Sequence, residues 1–187
     1  MAVLDADTGK LKRYGGAYGN KPDDADLGKY DPAAPLPQQF RNPMHCVERS
    51  HDGLVYVCDR RADRIQVFKP DGSFVKEARF APQTLGSGSA WDIACSKDPQ
   101  QKFIYLAGGT NEVVRVVLRE SLQESTNFGD GGRQPGPFYG VHNIATDSKG
   151  NIYTTETYEG KRLQKFNFKG EQAMAGGGQR TVWPQPR

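Results

Sequence analysis

Two of the three histidines in this chain, His45 and His142, occupy the same place in a repeated sequence pattern. Each opens a short apolar run that is followed by a glycine-containing turn and an Ile/Val-Tyr segment. Trp91 holds the equivalent place in a copy that lies between them. Neutral imidazole is a common metal ligand, and three imidazoles around an open fourth position form a typical catalytic zinc site. The pair therefore predicts a metal site, and the simpler alternative is that both histidines are hydrogen-bonded residues that fill space beside Trp91.

The pattern around the histidines predicts the elements that must position them. Each histidine copy continues through short apolar segments and ends in Arg-Ile/Leu-Gln-x-Phe, at residues 64–68 and 162–166, and the copy around Trp91 keeps the apolar segments but loses the turn residues. The copies start about 46 to 51 residues apart, which is typical of propeller blades with four short strands each. Apolar alternation with turn-forming glycine suits strands and gives a helix no continuous face. We therefore predict an all-β fold, an NHL-type β-propeller whose first strands line a central channel.

The predicted organisation is a single partial propeller over residues 1–187, with about three and a half four-stranded antiparallel blades. Its predicted parts are the end of an incomplete blade (1–14), a long loop (15–42), three blades (43–80, 89–128 and 138–176) and a tail (177–187). A loop of this length is more often functional or mobile than rigid. An open arc of blades leaves unpaired strand edges, so we expect either a fragment of a longer product or self-association, and the start within a blade favours the fragment.

Composition and charge give no indication of a nucleic-acid-binding or membrane-spanning protein. The net charge is +3, with acidic and basic residues interspersed, so nothing indicates a nucleic-acid partner. No segment approaches the roughly 20 apolar residues of a membrane-spanning helix, and the first residues are too few and too acidic for a signal peptide. The three cysteines allow at most one internal disulfide. Cys46 and Cys58 lie in consecutive predicted strands and can pair, but small buried thiols are the favoured interpretation.

Several of these segments together resemble one enzyme family. Residues 43–47, 56–60 and 64–68 are similar to the catalytic domain of peptidyl-α-hydroxyglycine α-amidating lyases, and residues 141–145 resemble that family's later metal-histidine strand. The similarity extends over about residues 3–168 and is greatest to the bacterial six-bladed propellers grouped with these lyases. NHL features alone are common, whereas the two histidines together with Asp59-Arg60 are more specific.

The resemblance implies a zinc-dependent lyase site. In this family three histidines hold zinc, a tyrosine acts as base, and arginines bind the substrate carboxylate while a peptide amide and glyoxylate are released. His45 and His142 match two of the metal ligands, and Arg60 matches an arginine of the site. A planar guanidinium can meet a carboxylate with two hydrogen bonds. The alternative for Arg60 is a rim ion pair with Asp59 or Asp63.

Two departures from the family leave a second hypothesis open. The third histidine and the tyrosine belong to blades before residue 3, and Gly140 stands where the animal enzymes have a methionine. We therefore expect a lyase-like propeller that acts on a peptide-like or small-molecule substrate but is incomplete as a catalyst in this chain. The alternative is a non-catalytic propeller that binds a protein or carbohydrate partner. The resemblance also suggests a secreted or periplasmic location.

Overall fold

A computed structural model of the protein describes residues 1–171 and consists of short strands joined by turns and loops. These residues contain no α-helix, only three single-turn 3-10 helices at Ala17–Gly19, Arg60–Ala62 and Gly109–Asn111. The all-β prediction is thereby confirmed. The thirteen strands are β1 (Ala2–Leu4), β2 (Leu11–Tyr14), β3 (Met44–Arg49), β4 (Val55–Asp59), β5 (Arg64–Phe68), β6 (Phe74–Arg79), β7 (Asp92–Cys95), β8 (Phe103–Gly108), β9 (Val113–Leu118), β10 (Glu124–Phe128), β11 (Val141–Thr146), β12 (Ile152–Glu156) and β13 (Leu163–Phe166).

The strands form antiparallel meanders in which each strand pairs with its neighbour in sequence. Two sheets have four strands, β3-β4-β5-β6 and β7-β8-β9-β10. A third sheet has the order β11-β12-β13, and β1 pairs with β2 in a two-stranded sheet. Residues 172–176, the end of the predicted blade 138–176, and the predicted tail 177–187 lie outside the described residues. Four-stranded antiparallel meanders of this kind are the blades of a partial propeller.

The core lies between neighbouring sheets. One buried apolar cluster joins the sheet β3–β6 to the sheet β7–β10, and a second joins β7–β10 to β11–β13. Phe138 of the second cluster, Phe128 and Phe166 pack against one another in tilted and edge-to-face arrangements, with ring centroids 5.2 to 6.1 Å apart. Contact between successive blades is the usual source of stability in repeat proteins. Among the described residues, no helix is long and apolar enough to cross a membrane.

The Arg-x-Gln part of the repeat ties the long loops to the blades. The buried Arg64 side chain forms an ion pair with Asp59 at 2.9 Å and donates to the Gln39 carbonyl, while Gln66 accepts a hydrogen bond from the Tyr18 backbone. Both contacts fasten the loop 15–42 against the sheet β3–β6. Arg162 and Gln164 hold the loop before β11 in the same way. Arg162 donates hydrogen bonds to four backbone carbonyls of that loop, those of Gly132, Arg133, Gln134 and Pro137.

The favoured interpretation of the cysteines was wrong for two of the three. Cys46 and Cys58 form a disulfide, because they face each other in the register of β3 and β4 with Cα atoms 4.8 Å apart. That separation lies within the usual range for disulfides. Cys95 is a buried free thiol, as expected.

Candidate metal centre

The structure brings His45 and His142 together. Their ring centroids are 4.6 Å apart, although β3 and β11 belong to different sheets and are separated by the sheet that follows Trp91. The Trp91 ring packs against both, at 5.6 Å from His45 and 5.1 Å from His142. Two imidazoles at this separation are close enough to coordinate one metal ion.

Each histidine lies where the pairing register of its strand shifts. The shift in β3 falls between Met44 and Cys46, and the shift in β11 falls between Val141 and Asn143. An extra residue at a β-bulge is turned away from the regular alternation of the strand, and bulges are common beside functional sites. Pairing of β7 with β8 runs without such a shift. The two histidine copies therefore share a local backbone feature that the Trp91 copy lacks.

A backbone carbonyl fixes the ring of His45. Its Nδ1 lies 2.6 Å from the carbonyl oxygen of Trp91. A carbonyl oxygen can only accept a hydrogen bond, so Nδ1 carries the proton and Nε2 keeps its lone pair. Burial is the main cause that lowers the pKa of His45; the Trp91 carbonyl raises it, and the Arg60 charge lowers it further. The neutral ring, the form that binds metals, is therefore favoured.

A side-chain relay fixes the ring of His142. Its Nδ1 lies 2.8 Å from Oδ1 of Asn143, whose Nδ2 donates to Oδ2 of Asp92 at 3.2 Å. Asp92 also accepts the backbone N–H of Ile144 at 3.0 Å. Because a carboxylate is only an acceptor, the Asn143 amide must point its nitrogen at Asp92 and its oxygen at His142. His142 thus also carries its proton on Nδ1 and leaves Nε2 free.

Arg60 presents its guanidinium beside the histidine pair. It begins the 3-10 turn after β4 and places its Cζ 4.5 Å from the centre of the Trp91 ring. The ion pair considered from the sequence does not form, because Asp59 binds Arg64 and Asp63 accepts the Ser89 backbone N–H at 2.7 Å. Within residues 1–171, the buried Nε atom of Arg60 has no hydrogen-bond partner.

Two glycines let the backbone approach this site. A Cβ at Gly88 would lie 1.9 Å from the Arg60 carbonyl oxygen, and the Gly88 carbonyl accepts the Trp91 indole N–H at 2.7 Å. Gly140, just before β11, has φ +74. A residue with a side chain would be strained in that conformation, so the local backbone favours glycine at this position.

The sequence identified the ligand candidates but missed the residues that orient them. The repeat pattern includes Asp92 and Asn143 but predicts no role for them. It identifies Trp91 only as a residue that cannot be a ligand. The repeat gave no signal for these roles, because the positions of Trp91-Asp92 hold His45-Cys46 and His142-Asn143 in the other copies. Residues 1–171 contain no group of three His, Cys, Asp or Glu side chains able to hold a metal.

Comparison with known proteins supports the fold. No family model matches the chain, and no curated protein matches it. A catalytically inactive histidine-to-alanine variant of virginiamycin B lyase from Staphylococcus aureus, solved with quinupristin, is 14% identical with a TM-score of 0.52, and the match covers 90% of this chain and 48% of that one. Selenomethionine-substituted virginiamycin B lyase from the same organism is 15% identical over 71% of this chain and 44% of that one, with a TM-score of 0.48.

A third solved structure is of another repeat class. The RRP9 WD40 repeats are 16% identical over 60% of this chain and 32% of that one, with a TM-score of 0.47. The chain spans about half the length of the first virginiamycin B lyase structure. At this identity, that first likeness shows the fold alone. The chain is a partial β-propeller.

Proposed function

We propose that His45 and His142 are two ligands of a zinc site in a lyase-type propeller, similar to the peptidyl-α-hydroxyglycine α-amidating lyases. One observation carries the proposal: the two imidazoles lie 4.6 Å apart, and each has its Nδ1 bound to an acceptor. A metal-binding histidine usually donates its other ring N–H in this way.

The donor set fits zinc in type and is incomplete in number. Zinc accepts imidazole nitrogen readily, and its structural and catalytic sites use three or four protein ligands. The described residues offer two, so a further ligand must come from outside them. Bound zinc would act as a Lewis acid on an oxygen of the substrate. On this proposal, the chain is incomplete as a catalyst by itself.

Arg60 is proposed to bind a carboxylate of a peptide-like or small-molecule substrate. Its Cζ lies over the Trp91 ring, 4.5 Å from the ring centre, and no acidic side chain of residues 1–171 forms an ion pair with it. A planar guanidinium held in this way can form two parallel hydrogen bonds to a carboxylate. In the proposed reaction this contact would orient the glyoxylate-forming end of the substrate.

Zinc binding by matched histidine variants tests the proposal. Protein purified without chelator is analysed for metal and titrated with zinc, as wild type and as His45→Ala, His142→Ala and His51→Ala. His51 is the matched control because it is exposed in the turn after β3. We expect zinc affinity to fall at least about tenfold in the first two variants and to stay unchanged in His51→Ala. Equal zinc content in all four proteins would make the pair a packing feature, and the face would then be a surface for a protein or carbohydrate partner.

A further inference from the structure

The middle blade supplies no candidate ligand, yet it contacts both histidines through two adjacent residues. The Trp91 carbonyl binds Nδ1 of His45, and the Asp92 carboxylate holds Asn143, which binds Nδ1 of His142. Trp91 and Asp92 lie at the start of the inner strand β7, between the strands that carry the histidines. One dipeptide therefore sets the hydrogen bonding of both rings.

We propose that Trp91-Asp92 is a positioning element that selects the Nδ1–H tautomer of both histidines, with Asp92 acting on His142 through Asn143. The identity of the protonated nitrogen in a neutral imidazole is set by the hydrogen bond that the ring makes. Both Nε2 lone pairs are then available on rings 4.6 Å apart. The inference deepens the proposed function and rests on it for its relevance to zinc, but the tautomers can be measured without any metal.

Three contacts distinguish this relay from ordinary packing. Asp92 uses a single oxygen, Oδ2, to accept both the Asn143 amide and the Ile144 backbone N–H, which anchors the carboxylate to β11 itself. The Asn143 amide is thereby held in one of its two orientations. The Trp91 carbonyl is fixed separately, because the Trp91 backbone N–H donates to the Ala107 carbonyl at 3.0 Å. The His45 and His142 arms can therefore be disrupted independently.

The contrast between Asp92→Ala and Asp92→Asn separates positioning from charge. Alanine removes the acceptor of both hydrogen bonds, whereas asparagine keeps a side-chain oxygen able to accept them and removes the negative charge. If Asp92 acts by holding Asn143, asparagine rescues the tautomer and alanine does not. Asn143→Leu removes the second member of the relay and provides an independent variant should Asp92→Ala fold poorly.

Nitrogen-15 long-range NMR correlation spectra of the metal-free full chain test the proposal, recorded at a pH where the imidazoles are neutral. We expect the Nδ1–H tautomer for both His45 and His142 in the wild type and in Asp92→Asn. In Asp92→Ala and Asn143→Leu, His142 should shift toward the Nε2–H form while His45 stays unchanged. His51, whose ring has no hydrogen bond to any described residue, is the internal reference. A His142 tautomer that is Nε2–H in the wild type, or that neither variant changes, would overturn the proposal.

Zinc titration of the same variants separates this inference from the proposed function. Loss of a group that orients a metal-binding histidine typically weakens metal affinity about 10- to 100-fold. We expect that loss in Asp92→Ala, with affinity retained in Asp92→Asn. Wild-type protein with the expected tautomers but no zinc binding would refute the zinc proposal and leave the positioning role intact. Zinc binding together with tautomers that Asp92→Ala leaves unchanged would support the zinc proposal and refute the positioning role.

Discussion

Arg60 shows how the surroundings of a single residue determine which contacts its side chain makes. Its guanidinium stacks on Trp91 at 4.5 Å, and burial lowers its pKa without making it neutral at physiological pH. A cation–π contact of this kind fixes the plane of the group while its outer nitrogens stay available. The proposed recognition of a carboxylate can therefore be tested by substituting Arg60 alone.

Arg60→Lys should weaken binding of a peptide that ends in a free carboxylate by about tenfold, and it should leave the matched C-terminal amide unaffected. The reason is that lysine keeps the charge but loses the planar two-point contact. Calorimetric titration of both peptides measures the difference, with the exposed neighbour Arg61→Lys as control. Identical affinities of Arg60→Lys and wild type for the acid would remove Arg60 from the site.

Sequence reasoning located His45 and His142 because they hold the same position in a repeat, whereas Arg60 came from the resemblance to the lyase family. It could not assign Asp92 and Asn143, since their roles arise from contacts across 51 residues of sequence between two different sheets. The same limit applies to the ion pair that was the alternative interpretation of Arg60. Asp59 is adjacent to Arg60 in sequence, but the pairing of β4 with β5 places it opposite Arg64, with which it forms the ion pair.

Asp147 should make the stability of the last described sheet depend on pH. Hydrogen bonds from Asn151 lead the causes that lower its pKa to about 2. A carboxyl whose pKa is depressed on folding stabilises the protein above its unfolded value, near 4, and this stabilisation is lost as the pH falls toward about 2. Urea unfolding of wild type and Asp147→Asn should therefore differ most above pH 4 and converge near pH 2. A difference that persists unchanged to pH 2 would contradict the assignment.

The cysteines give a chemical test of the β3–β4 register. With Cys46 and Cys58 joined, unfolded protein kept free of reductant should show one reactive thiol per chain, that of Cys95. The native protein should show none on the same timescale, because burial raises the pKa of the Cys95 thiol to about 11 and shields it from reagent. Thiol counting with a chromogenic disulfide reagent measures both. Three thiols in the unfolded protein would mean that the pair is reduced.

At the scale of elements, the buried ion pair explains why the Arg-x-Gln motif ends each histidine copy. Arg64 and Asp59 are both fully buried, and Arg64 also reaches the Gln39 carbonyl of the long loop. The sequence predicted the strand that carries the motif. The loop partners of Arg64 and Arg162 were unpredictable, because they are backbone carbonyls in irregular loops with no pattern of their own.

Arg64→Met should destabilise the protein by about 3–5 kcal/mol, because Asp59 would remain buried without its partner. Lys12→Met is the matched control: its ion pair with Asp5 is exposed, with a distance of 2.9 Å, and such pairs contribute about 0–1 kcal/mol. Urea or thermal unfolding of both variants provides the comparison. Equal, small losses in the two would show that the Arg64 network does not hold the loop.

At the scale of the whole molecule, the described sheets have unequal numbers of strands. Within residues 1–171, β1 and β2 pair only with each other, and Leu4 and Leu11 are 56% and 47% exposed. Three blades over residues 43–176 were predicted from the repeat, and two of those spans contain complete four-stranded sheets. The repeat could not predict what covers the two-stranded sheet, since that depends on contacts outside the pattern.

We expect the isolated chain to self-associate through these exposed strand edges. Sedimentation at tens of micromolar should show concentration-dependent species in the wild type and fewer of them in Leu4→Lys, because a charged edge residue opposes strand pairing. Leu85→Lys is the control, since Leu85 is similarly exposed at 55% but lies outside the strands. A well-behaved wild-type monomer would contradict the expectation.

In the proposed site, His45 and His142 bind one zinc ion through their Nε2 atoms. X-ray absorption at the zinc edge measures it most directly, because the outer-shell scattering of imidazole rings counts the histidines bound to each metal. The proposed site predicts two imidazoles from this chain per zinc in the wild type, and one after either His45→Ala or His142→Ala. A zinc spectrum without imidazole scattering, or one that neither substitution changes, would contradict it.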